Sequence, residues 1–130
     1  MLQAGIKGKK VIIVTEDKSA RVMGSGELDV FATPAMIALI EETAWRSVSE
    51  HLATGEGTVG TKLDLSHISA TPIGMQVSCE TEVTLVDRRR IVFRVKVFDE
   101  CGKIGEGTHE RFVVQNEKFM RKAAEKLGAP

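Results

Sequence analysis

Only one long stretch of this chain, residues 33–51, repeats with a helical period, while most of the chain from there to residue 115 alternates with a period of two. The two patterns cannot stand in for each other, because a helix keeps residues three and four apart on one face whereas a strand changes face at every step. One apolar helix must therefore be buried by strands. Thr33-Pro34 opens the helix, with threonine as N-cap and proline at the first helical position. ATGEG, residues 53–57, ends it after about His51.

Ahead of the helix, KKVIIVTED (9–17) is rich in β-branched residues and reads as a strand. KSARVMGSGELDV (18–30), with two glycines and mixed polarity, reads as a loop with room for a short strand or turn. Beyond the helix, GTVGTKLDLSHISA (57–70) sets Thr61, Leu63, Leu65 and His67 on one face. MQVSCETEVTLVD (75–87) sets Met75, Val77, Cys79, Thr81, Val83 and Leu85 together, and RIVFRVKVFDE (90–100) does the same for Ile91, Phe93, Val95 and Val97. GKIGEGTHERFVVQ (102–115) is a last strand with glycines suited to bending it. DRRR and DECGK are short turns, so the last three strands form an antiparallel meander, and NEKFMRKAAEKLG (116–128) is a short charged helix. The expected fold class is α+β, with one long helix laid against a curved antiparallel sheet of about five strands. That is the hotdog arrangement.

With 130 residues and no repeat or linker, the expectation is a single domain over residues 1–130. A formal charge of zero leaves no broad basic face for nucleic acid or an anionic membrane. No segment approaches the roughly 18 apolar residues of a membrane span. The N-terminal residues show no export pattern, and Cys79 and Cys101 have neither C-x-x-C nor framework spacing. A reduced, cytoplasmic protein is expected. GEGTVG (55–60) matches G-x-G-x-x-G but comes after a helix and leads into a strand, the reverse of the dinucleotide-binding context. His51, His67 and His109 lack metal-ligand spacing, so no metal is expected.

Two residues do not fit the packing pattern. On a helical wheel Ile37, Ile40, Ala44 and Val48 cluster, flanked by Met36 and Trp45, and Glu41 falls inside that arc. Its neighbour Glu42 falls outside, four residues from Arg46, and is a solvated acid with an i,i+4 partner. An ionised carboxylate on an apolar face is costly unless it is paired or opens to a wet pocket. His67 is the second oddity and Glu41's candidate partner, since the helix should pack on the strand face it shares with Leu63 and Leu65. Taken singly, a histidine on such a face is more often a satisfied core residue, and Thr33 more often a plain cap.

The blocks FATPAMIALIEETAW, GEGTVGTKLDLSHISATPIGMQV and GKIGEGTHERFVV resemble the fluoroacetyl-coenzyme A thioesterase type of hotdog thioesterase, over roughly residues 8–121. The resemblance implies hydrolysis of an acyl-coenzyme A by a threonine, a glutamate and a histidine, which by motif are Thr33, Glu41 and His67. It adds Gly60 beside the thioester, with Arg111 as a substrate-binding candidate and a less defined part for His109. It implies a homodimer, open to higher assembly, with the sites at the interface; the hypothesis drawn from this is that Glu41 and His67 of one site come from different subunits. No cofactor is implied, because coenzyme A is part of the substrate. Arg88, Arg89, Arg90 and Arg111 are candidates for its phosphates, although DRRR is more simply a solvated turn. The segment RVMGSGELDV lacks the phenylalanine-bearing lid of the fluoroacetyl-specific member, so the expected substrate is a broader short-chain acyl-coenzyme A. The rivals are a non-catalytic acyl-coenzyme A-binding module and a hotdog hydratase.

Overall fold

The computed structural model describes residues 1–128. In chain order it has strand β1 (Lys7–Ile13), a one-turn helix α1 (Ala20–Met23) and the long helix α2 (Thr33–Ser49). Next come strands β2 (Glu56–His67), β3 (Gln76–Asp87), β4 (Arg90–Asp99) and β5 (Gly102–Gln115), then helix α3 (Asn116–Ala124). The five strands form one antiparallel sheet in the order β1-β3-β4-β5-β2. This is the expected hotdog arrangement, with β3, β4 and β5 as the meander. β1 and β2, which flank α2 in the chain, lie at opposite edges of the sheet.

The helix buries Ala35, Met36, Leu39, Ile40, Thr43, Ala44 and Val48. Facing it are Val77, Cys79 and Val83 of β3, Ile91, Phe93, Val95 and Val97 of β4, and Ile104 and Val113 of β5. Alternation holds on β4 because that strand is central and regular. Gly105 and Gly107 of β5 serve close approach: a Cβ at Gly105 would come within 2.9 Å of Met36 Sδ, so the bare backbone is what lets that side chain seat.

Several expectations need correcting. The N-cap of α2 is Ala32, with no side-chain cap bond; Thr33 is the first helical residue and Pro34 the second. The helix stops at Ser49, two residues early, and Trp45 turns outward, where the Arg46 guanidinium lies 4.6 Å from its ring centre. Leu39 and Thr43 take the core positions that Ile37 and Trp45 were expected to fill. The segment 18–30 contains α1, capped by Ser19, whose Oγ accepts from the Val22 N–H at 3.2 Å. A register shift after Val83 turns Leu85 out of the core, leaving it 44% exposed.

On β2 the expected alternation fails in a way that matters. A bulge between Gly60 and Lys62 takes Thr61 out of the pairing register with β5. Thr58 and Gly60 are thereby placed opposite the buried Val113 and Arg111, while Leu63 faces the buried His109. The inward set is Thr58, Gly60, Leu63, Leu65 and His67, without Thr61. None of the residues of β2 is fully buried, and inward-facing Leu63 is 37% exposed. A 12-residue strand with an unpaired edge and an uncovered inner face is a ready template for another strand. Among the described residues, no helix is long and apolar enough to cross a membrane.

Candidate active site

The first turn of α2 and the last residue of β2 come together at one end of the sheet. Thr33, released from capping, has its Oγ1 2.8 Å from His67 Nδ1. Phe31, just ahead of the helix, is buried and meets the imidazole edge-on, with ring centres 6.4 Å apart. The ring's other nitrogen, Nε2, is covered and has no hydrogen-bond partner among the described residues. Thr33 and His67 line a cavity of about 280 Å3 together with Ala20, Ser25, Val30 and Phe31. The N-terminal end of α2 points its unpaired N–H groups and partial positive charge towards this place.

Glu41 is elsewhere. It lies eight residues further along α2, about 12 Å down the axis, and its side chain is 39% exposed. Its Oε2 accepts from Arg111 Nη1 at 3.4 Å, so its partner within the chain is Arg111 and not His67. Arg111 is only 5% exposed, and its other bonds run inward: Nε donates to Thr58 Oγ1 at 2.8 Å and Nη2 to the Thr58 carbonyl at 3.0 Å. Gly60 lies against this group. A Cβ built there would collide with Glu41 Oε2 and come within 3.3 Å of both Arg111 Nη1 and His109 Cε1. Thr58 escapes the sequence pattern because unbroken alternation through Thr61 puts it on the wrong face; only the bulge brings it in.

The neighbouring acid has its expected i,i+4 partner but is no more exposed than Glu41, at 34% against 39% for the side chains. Glu42 Oε2 accepts from Arg46 Nε at 2.8 Å and lies 3.5 Å from Lys10 Nζ, and Arg46 chiefly lowers its pKa. Of the turn arginines, Arg90 is taken by Glu110 at 2.9 Å, while Arg88 and Arg89 are exposed.

Gly60→Ala is expected to lower stability by about 1–3 kcal/mol, because the new methyl displaces the tip of Glu41 and also crowds the buried Arg111 and His109. A urea melt against the parent checks it, and an unchanged midpoint would contradict it.

Burial holds the His67 imidazole below its ordinary 6.5, with the Ser69 backbone opposing. Burial does the same to His109, where the Lys62 carbonyl opposes and Arg111 assists. The unfolded chain therefore takes up protons near pH 6.5 that the folded chain still refuses. Stability should be level above about pH 7.5 and fall as the pH drops from about 7 to 5. The depressed carboxylates, Glu42, Asp99 and Glu110 among them, lose their contributions only below about pH 4.5. A urea midpoint that stays flat between about pH 7.5 and 5.5 would contradict this.

A family model described as fluoroacetyl-CoA-specific thioesterase matches residues 14–117. The fluoroacetyl-CoA thioesterase of Streptantibioticus cattleyicolor is 41% identical over 101 residues, covering 78% of this chain and 73% of that protein. The solved structure of the fluoroacetyl-CoA thioesterase FlK superposes with a TM-score of 0.91 at 33% identity, over 100% of this chain and 99% of that one. A thioesterase-superfamily member from Thermus thermophilus shares the fold at a TM-score of 0.88 and 23% identity, covering 100% of this chain and 98% of its own. With a match running from the end of β1 to the start of α3, the chain belongs to the fluoroacetyl-CoA-specific thioesterase family.

Proposed function

We propose that the protein hydrolyses a short-chain acyl-coenzyme A to the free acid and coenzyme A, as a homodimer in which each site joins Glu41 of one copy to Thr33 and His67 of the other. One observation carries the reading. Within a chain the Thr33–His67 pair and the Glu41–Gly60–Arg111 group lie along the same inward side of β2 but too far apart to react together. β2 is an open edge strand. In antiparallel pairing with its own copy, directly opposed residues share a face. With the bulge at Thr61 counted, the register that sets His67 opposite the partner's Gly60 sets Leu65 opposite the partner's Leu63. It delivers the partner's Glu41 to the imidazole and covers the exposed Leu63.

In this site the water oxygen replaces the coenzyme A sulfur on the acyl carbon. Glu41 either attacks that carbon and is then freed by water, or takes the proton from an attacking water. His67, kept neutral by burial and held at Nδ1 by Thr33, takes up the proton released by the attacking water or by Glu41 and passes it on to the coenzyme A thiolate. The bare backbone at Gly60 lets the thioester approach, and the N–H groups at the start of α2 favour charge on the carbonyl oxygen. Arg111 holds the acid. The cavity of about 280 Å3 suits a small acyl group, and residues 18–30 carry no aromatic side chain to close over it. The scheme uses no metal or cofactor, and two free cysteines suit a reducing cytoplasm.

The test is thiol release from acetyl-, propionyl-, butyryl- and longer acyl-coenzyme A esters by the purified protein. Turnover should be greatest for the short chains. Tight binding with no thiol released would establish a binding module instead, and water addition to an enoyl ester a hydratase. Rapid-quench mass spectrometry in a single turnover, with hydroxylamine as trap, distinguishes the two roles of Glu41, since only attack by Glu41 puts the acyl group on its carboxylate as an anhydride.

A further inference from the structure

The Glu41 group rests on a fully buried histidine that the reaction scheme leaves without a task. His109 stacks on Phe93, with ring centres 6.0 Å apart, and both are buried. The partners of its two nitrogens fix its form. The Lys62 carbonyl can only accept, so Nδ1 donates to it at 2.9 Å. Arg111 Nη1 can only donate, so Nε2 accepts from it at 3.1 Å. The ring is therefore neutral, with its proton on Nδ1. Thr58 takes Nε and Nη2 of Arg111, which leaves Nη1 shared between His109 and Glu41.

We propose that His109 is a positioning residue for the reaction, acting through Arg111: its Nε2 lone pair fixes the guanidinium edge that orients the Glu41 carboxylate. The proposal rests on the role given to Glu41 in the proposed function. Its logic is that Glu41 changes charge during turnover, whether it is acylated or protonated. An arginine held at Nη1 by that carboxylate alone would lose its guide each time the charge left. A neutral acceptor that never enters the chemistry keeps Nη1 in place. The surrounding charges are compatible with a neutral ring, since burial and Arg111 oppose protonation against Glu41 of α2 and Glu110 of its own strand.

The test uses His109→Phe, which keeps the stack and removes both bonds, and His109→Gln, which returns an acceptor towards Arg111. Each is made in the parent and in an Arg111→Met background, and Glu41→Gln is assayed alongside. Kinetics with acetyl-coenzyme A are read beside thermal melts. His109→Phe should lower kcat about 10- to 100-fold with KM within about threefold. His109→Gln should recover most of that loss, and in the Arg111→Met background either change should cost less than about twofold more. A folded His109→Phe with parental kcat overturns the proposal, as do losses that multiply with Arg111→Met. If His109→Phe does not fold, His109→Leu, which likewise has no acceptor, and its cycle with Arg111→Met decide by the same criterion of additivity. Full activity in Glu41→Gln instead strikes the role of Glu41, whereas an inactive Glu41→Gln beside unimpaired His109 variants strikes His109 alone.

Discussion

Glu41→Gln is expected to lower kcat for short acyl-coenzyme A hydrolysis by about 10²–10⁴-fold, the range for removal of a general base. The amide keeps the shape, so the fold should survive. It cannot take a proton or serve as a nucleophile, and it replaces the anion facing Arg111 with a dipole. The adjacent acid is the control. Glu42 sits one residue on, bonded to Arg46 and near Lys10, away from Arg111. Glu42→Gln should leave kcat within about twofold and stability within about 0.5 kcal/mol. Two neighbouring glutamates with equal effects on turnover would show that charge near the helix, and not the inward position, matters. The comparison needs only steady-state rates and urea melts on both variants.

Phe93→Ala is expected to cost about 3–5 kcal/mol of stability. Phe93 is at the middle of the central strand β4, fully buried, and stacked on His109. Rigid strands surround it on both sides, so the space left by the ring cannot collapse fully. A large part of the roughly 5–15 kcal/mol expected for a domain would go. The urea midpoint should fall with an unchanged slope. A loss below about 1 kcal/mol would mean that the core repacks around the gap. The same variant removes the floor under His109 and so should also loosen Arg111.

Regular periods carried most of the information legible in the chain. Ile91, Phe93, Val95 and Val97 could be placed because β4 is central and uninterrupted. Glu41 and Glu42 were separable because one residue is about 100° of helix, enough to point two similarly exposed acids at different partners, Arg111 for one and Arg46 with Lys10 for the other. Legibility ends where one residue breaks the period. The bulge at Thr61 reverses the parity of everything before it on β2, hiding Thr58 and the inward direction of Gly60. The shift after Val83 does the same to Leu85. Thr33 looks like a cap because cap preference is local, whereas the hydroxyl is drawn to His67, 34 residues away. The Glu41–Arg111 contact spans 70 residues and depends on sheet register, which no local pattern encodes. His67 stands out by its oddity on an apolar face, but its bond to Thr33 is set by the three-dimensional fold.

The central claim is that a working site takes its acid from one copy and its imidazole from another. Glu41→Gln and His67→Ala proteins, each inactive alone, can be mixed one to one, unfolded and refolded together. Half of the dimers should then be mixed, and in each of these one site carries both changes while the other carries neither, returning about a quarter of the parental rate. Mixtures that stay as inactive as their components, in refolded dimers shown to have exchanged subunits, would contradict the account.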